Sequence, residues 1–206
     1  MIGRKHRKYR KLVGDLLYYR SELQFQEGIL KKAGDDFDDY QRIFCEQRGI
    51  NLRDLVEKNT KRLTSLMEDT KNKSSCKEEP DSDARRALNK IYKSVALSLH
   101  PDRLDSMGLS EEEYKKKEGD FKAVAHSMEQ GDWGTLIEAS EELNIKPKLS
   151  KELFRVLEKE IEVLKIKIEK NESTYGWRFY NCGIDIKCFD ELIKHSLRHL
   201  YNLEVT

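Results

Sequence analysis

Apolar residues recur along most of this chain at spacings of three and four, the period of a helix with one buried side. Leu12, Leu16, Tyr19, Leu23, Gln26, Leu30, Ala33, Phe37, Tyr40 and Phe44 form one heptad-like seam, interrupted only by the polar Gln26. Gly14, Gly28 and Gly34 lie inside that run. Each lowers helix stability by about 1 kcal/mol, so packing has to hold the helix together. Gly49 reads as its stop, and Asn51 as a fresh start ahead of Leu52, Leu55 and Val56, giving a second helix to about residue 69. Residues 70–83, TKNKSSCKEEPDSD, are polar throughout and carry Pro80, which marks a linker.

A new helix is expected from near Asp83, with Ala84, Leu88, Ile91, Val95 and Leu99 on one stripe and Pro101 as its stop. A loop through Gly108 leads to Ser110 and Glu113, whose spacing makes a capping box. The helix they open carries Tyr114, Phe121, Val124 and Met128. Gly131 ends it, Asp132 caps the next, and Leu136, Ile137, Ala139 and Leu143 fill the inner side. After Pro147, Ser150 caps a long helix whose Leu153, Leu157, Ile161, Leu164 and Ile168 make a second seam. Residues 173–186 hold Trp177, Phe179, Tyr180 and two glycines, an aromatic corner. Phe189, Leu192, Ile193, Leu197 and Leu200 predict a last amphipathic helix.

No strand pattern is strong. The expected fold is therefore all-α: long helical arms forming a bundle or coiled coil, with a helical hairpin module between them. The expected divisions are an N-terminal arm over 1–69, a linker over 70–83, a module over 84–147, and a C-terminal arm over 148–206. Each seam needs a partner. The economical solution packs the C-terminal arm on the N-terminal one; a homodimer built through the arms is the rival.

With 37% charged and 37% hydrophobic residues and only three prolines, the composition favours helices with wide solvated faces. The 39 basic and 38 acidic residues nearly cancel, so nucleic acid is not an expected partner of the chain as a whole. Residues 4–11 depart from that balance, being almost wholly basic. They read most simply as a solvated end, and alternatively as a surface for nucleic acid or an acidic partner. The cysteines at 45, 76, 182 and 188 form no C-x-x-C, so reduced thiols in a cytoplasmic setting are expected. Cys182, Cys188, His195 and His199 are four potential zinc ligands, but their spacing fits no standard finger. Buried thiols and surface imidazoles are the expectation there, and no metal or cofactor is called for. A signal peptide and a membrane span are not expected, because no apolar run follows the basic start or approaches the length of a span. There is no nucleophile elbow, no P-loop and no paired carboxylates to suggest an enzyme.

One segment is sharper, residues 91–103, IYKSVALSLHPDR. An amphipathic helix is broken by a proline that forces His100 out of the α region. A rigid turn then shows the imidazole of His100 and the carboxylate of Asp102 to solvent. Lys90 and Lys93 lie about one turn apart, opposite the apolar stripe. A fixed carboxylate beside a positive helix face suits a partner that offers both arginines and acidic groups.

The pattern Tyr-Lys-x-x-Ala-Leu-x-x-His-Pro-Asp-Arg, here residues 92–103, resembles helix two and the following loop of DnaJ-family J domains. Phe121 and Lys122 are similar to the Phe-Lys pair of helix three in that family, whose ring packs under helix two. The resemblance covers about residues 84–140, and small J-domain proteins of bacteria and their phages look most similar. It implies a partner: a DnaK-type (seventy-kilodalton heat-shock) chaperone, engaged through its nucleotide-binding domain and linker so that ATP hydrolysis follows. It also implies roles. His100, Pro101 and Asp102 match the signature, Lys90, Lys93 and Arg103 match basic contact positions, and Tyr92, Ala96 and Leu97 match core positions. The chain departs from the family at several points. It lacks the Tyr-Tyr-x-x-Leu-Gly opening, carries Asn89 and Ser94 where basic residues are common, has a longer stretch between His100 and Phe121, and has neither a Gly/Phe-rich segment nor a zinc repeat. The expected function is a co-chaperone whose J-like module switches the partner ATPase while the arms select a client not identified by sequence. The alternative is a helical adaptor that uses the module only for protein–protein interaction.

Overall fold

The computed structural model describes residues 3–68 and 82–205. The regular elements among them are all helices: α1 (Arg4–Gln47), α2 (Leu52–Glu68), α3 (Ser82–Leu99), α4 (Pro101–Asp105), α5 (Glu111–Gln130), α6 (Trp133–Glu142), α7 (Lys151–Glu172), α8 (Tyr175–Asn181) and α9 (Ile186–Tyr201). The all-α expectation is met. The linker read at 70–83 lies outside the described residues, apart from 82 and 83 at the start of α3.

Local chemistry accounts for the boundaries. Ser110 and Glu113 exchange both hydrogen bonds of a capping box at the start of α5, and Gly131 ends that helix with φ +69°. Asp132 then caps α6 by accepting from the Thr135 amide, and Ser150 accepts from the Leu153 amide to open α7. Two elements differ from expectation. The loop through Gly108 begins with the short helix α4, because Pro101 occupies a first helical position where its fixed φ is already suitable. The aromatic corner is itself the helix α8, opened by Thr174 accepting from the Trp177 amide.

The chain divides into two compact units. One takes in Met1–Ser21 and Glu78–Ile166, the other Glu22–Lys77 and Lys167–Thr206. Both α1 and α7 therefore contribute to each, and the units cut across the divisions at 69 and 147 read from the sequence.

In the first unit α3, α5 and α6 pack on one another. They bury Leu88, Ile91, Val95 and Leu99 from α3, Val124 from α5, and Leu136, Ile137 and Ala139 from α6. The start of α1 lies along both α6 and α7. Its Tyr9 hydroxyl donates to Glu141 Oε1 at 2.8 Å, and Lys8 pairs with Glu158 at 2.8 Å while its ammonium sits 5.1 Å from the Phe154 ring. Farther on, Lys165 lies over Tyr19. Residue numbers rise together along these contacts, so α1 and α7 run in the same direction here.

The second unit is built on Phe37, Phe44, Cys45, Ile193 and Leu197, with α2, α8 and the last residues of the chain packed around them. Gly176 is required by close approach: a Cβ there would meet the backbone nitrogen of Gly34 at 3.2 Å. The four apparently loose thiols need correcting. Cys182 and Cys188 form a disulfide, because Gly183, at φ +63°, folds the chain between α8 and α9 and brings the two Cα atoms to 5.6 Å. Cys45 is free and buried, with its thiol pKa pushed up by that burial. Cys76 lies outside the described residues.

Gln26, the polar interruption of the first seam, is fully buried. Its Nε2 donates to Glu22 at 3.1 Å and to Glu172 at 3.4 Å, but its Oε1 has no partner among the described residues. A buried acceptor left unpaired costs roughly 1–3 kcal/mol. Gln26→Leu is therefore expected to raise stability by about 1 kcal/mol in a urea titration, since Glu172 is exposed and Glu22 half-buried, within reach of water. A lower midpoint would show that the amide stabilises the unit. In the first unit, Leu136 is completely buried. Leu136→Ala should lower stability by about 2–5 kcal/mol, measured in the same way.

Candidate functional site

The apolar stripe of α3 determines what the helix shows to water. With Leu88, Ile91, Val95 and Leu99 turned inward, residues 86, 90, 93 and 97 fall on the opposite side at spacings of four, three and four. Arg86, Lys90 and Lys93 are exposed there, and neither lysine ammonium has an ion-pair partner among the described residues. Leu97 does not sit where the resemblance put it. It is 68% exposed, because it lies two residues from both Val95 and Leu99 and so half a turn from the inward stripe. Tyr92 and Ala96 are half-buried.

At the end of α3 the backbone turns. His100 is extended, at φ −61° and ψ 135°, as a residue before proline must be. Its ring caps α4: the Asp102 amide donates to His100 Nδ1 at 3.4 Å. Nδ1 also lies 3.6 Å from Asp102 Oδ2, an ion pair only if the ring is protonated. Capping and ion pairing are alternatives at this atom, since one nitrogen cannot accept from the amide and carry a proton at once.

Three contacts hold this corner from behind. Leu104 is buried. The Phe121 ring of α5 meets the His100 ring edge-on, with centroids 6.1 Å apart. Tyr114 of α5 hydrogen-bonds Asp105, which raises the phenol pKa. In front of them the side chain of His100 is 50% exposed and that of Asp102 is 89% exposed. Arg103 is exposed beside them. The structure thus brings His100, Pro101, Asp102 and Arg103 together at one corner and sets Lys90 and Lys93 along the helix that leads to it.

The arrangement presents a fixed carboxylate, an imidazole, three cations and one exposed leucine on one surface, a combination suited to docking on a partner of complementary charge. The zinc alternative is not assembled, because Cys182 and Cys188 are bonded to each other. No group of three or more metal-binding side chains occurs among the described residues. His195 instead meets the Tyr175 hydroxyl at 3.1 Å and stacks with His199.

Sequence reasoning missed Arg20. Its guanidinium reaches from α1 to Asp132 at 3.0 Å, Thr135 Oγ1 at 2.7 Å and Glu138 at 3.2 Å. A side chain at Gly134 would occupy the same space. This network fixes the start of α6 against α1, and through α6 supports α3 and α5. An arginine beside a seam carries no mark of such a role; the nearest cue was the glycine after Trp133.

Protein-family models, curated proteins and solved structures were all compared with this chain, and none matches. No helix among the described residues is long and apolar enough to cross a membrane.

Burial by itself would raise the Asp132 pKa, but the hydrogen bonds from Thr135 and the charge and hydrogen bond of Arg20 outweigh it and leave the carboxyl below its ordinary value. A carboxyl that ionises more readily in the folded chain stabilises the fold above its unfolded pKa, near 3.9, and that contribution is lost as pH falls through the lower folded value. The melting temperature should therefore drop on acidification below about pH 4. Asp132→Asn keeps a good cap but loses the charge, so it should start lower near neutrality and lose less in acid. Parallel melting curves for the two proteins between about pH 6 and pH 3 would contradict this.

Proposed function

We propose that this chain is a J-domain co-chaperone: it docks on a DnaK-type chaperone through α3 and the corner after it, and triggers ATP hydrolysis there. One observation carries the reading. The carboxylate of Asp102 is held almost fully exposed immediately after an extended His100-Pro101 step, with a capped and buried scaffold behind it. A group presented on a rigid support loses little freedom on binding. Lys90 and Lys93 add a positive approach surface that speeds encounter with an acidic partner. Leu97, exposed at the end of the same face, offers an apolar spot that docking would cover.

The chain acts on another protein's ATPase and not as an enzyme itself. Its remaining helical surface, including the second unit, selects the client. We place this activity in the cytoplasm, with the DnaK-type partner. The Cys182–Cys188 bond would be reduced there. Thr174 and Asp185 cap the helices on either side independently of it.

Single-turnover ATP hydrolysis by a DnaK-type chaperone should accelerate when the protein is added. His100→Gln and Asp102→Asn should each abolish the effect while circular dichroism is kept. Melting should stay unchanged for Asp102→Asn, an exposed substitution of a kind that usually costs under about 0.5 kcal/mol. It should fall slightly for His100→Gln, which loses the α4 cap and the Phe121 contact. Reversing both Lys90 and Lys93 to Glu should raise the concentration needed for stimulation and flatten its salt dependence. Normal stimulation by folded Asp102→Asn protein would sink the assignment. Salt-dependent chaperone binding without stimulation would instead favour the adaptor reading.

A further inference from the structure

The basic stretch near the start of the chain has no part in that docking surface. Arg4, Arg7, Lys8 and Lys11 recur at i, i+3, i+4 and i+7, which puts them on one side of α1, with Arg10 beside them; all are exposed. The other side of the same turns, Tyr9, Leu12, Val13 and Leu16, is buried. The stripe is thus anchored on the first unit. It runs about 10 Å along the helix, seven residues at the helical rise.

Its charge is uncompensated. Only Lys8 has an acidic partner, Glu158; Arg4, Arg7, Arg10 and Lys11 have none among the described residues. No Asp or Glu occurs before Asp15. Like charges at these spacings repel along a helix. Some exposed cations elsewhere are neutralised from one turn away, as in Lys61 with Glu57, Lys115 with Glu111 and Lys122 with Glu118. Residues 4–11 contain no carboxylate of their own to do this.

We infer that this face of α1 docks on the phosphate backbone of double-stranded nucleic acid. A charged stripe with no apolar residue exposed within it cannot insert into a bilayer, which requires a buried apolar face. Here that face is already used by the protein. Single strands are held by stacking on aromatic rings interleaved with the cations. Within residues 4–11 the one ring, Tyr9, is buried and bonded to Glu141, and the exposed Tyr18 on the same face lies seven residues, about 10 Å, beyond Lys11. What remains is a row of cations matched to a row of regularly spaced phosphates, an interaction that positions a protein without reading sequence.

The test is fluorescence anisotropy of a short labelled DNA duplex titrated with the full chain. Binding should weaken by about fortyfold between about 50 and 200 mM salt, as expected for about three phosphate contacts. A single strand of the same sequence should bind more weakly. The triple variant Arg7→Glu, Arg10→Glu, Lys11→Glu should lose at least about tenfold in duplex affinity while keeping its circular dichroism and its stimulation of a DnaK-type ATPase. Lys90→Glu with Lys93→Glu should bind the duplex like the parent. No duplex binding at low salt, or undiminished binding by the triple variant, would overturn the inference. So would equal retention by anionic vesicles or by polyglutamate, which would assign the stripe to a membrane or an acidic protein.

Discussion

Burying Leu88, Ile91, Val95 and Leu99 commits α3 to a single rotation about its axis, and most of what the first unit offers its surroundings depends on that commitment. Side chains on a helix are not independent. Once the inward stripe is set, the positions half a turn away face water whatever they are. Lys90 and Lys93 are suited to that place; Leu97 is not, yet it shares the face. Pro101 then acts twice. It ends α3 by excluding the α conformation at His100, and it opens α4 at a position where a missing amide hydrogen does no harm. One proline converts a helix end into a corner with a defined direction.

The two units are stabilised differently. The first is apolar within, apart from Ser127 and Ser140, whose hydroxyls donate to carbonyls of their own helices. It is tied at its edges by charged groups, Arg20 above all, whose planar fork serves three acceptors at once. The second places polar atoms inside. Gln41 donates to Ser196 at 2.9 Å in a buried setting, and Tyr40 donates to Asp190 at 2.8 Å. Such pairs add modest stability but penalise any packing that would separate them, which favours one register of α1 against α9. The buried thiol of Cys45, with its raised pKa, belongs to this interior and is poorly suited to reaction.

The helices and their ends were legible because their signals are local. Capping by Ser110, Asp132 and Ser150 and the stop at Gly131 depend on residues within one turn, and each lies where sequence puts it. The corner was legible for the same reason. The failures concern contacts over distance or competing assignments of one residue. Leu97 was placed in the core by likeness, although its own phase against Val95 and Leu99 put it outside. The Cys182–Cys188 bond went unread because it depends on Gly183 taking a left-handed turn between α8 and α9. Arg20 joins residues more than a hundred positions away, and no periodicity records that.

The corner also divides the labour within one residue. The backbone amide of Asp102 is committed inward, to the ring of His100, while its carboxylate projects outward. Folding thus uses the part of the residue that any amino acid except proline would supply, and leaves the distinctive part idle. Substitution at this position is almost free with respect to stability, so a population of related sequences drifting under selection for folding alone would soon lose the aspartate. Its persistence across such a population would measure selection for binding, with little contribution from the fold.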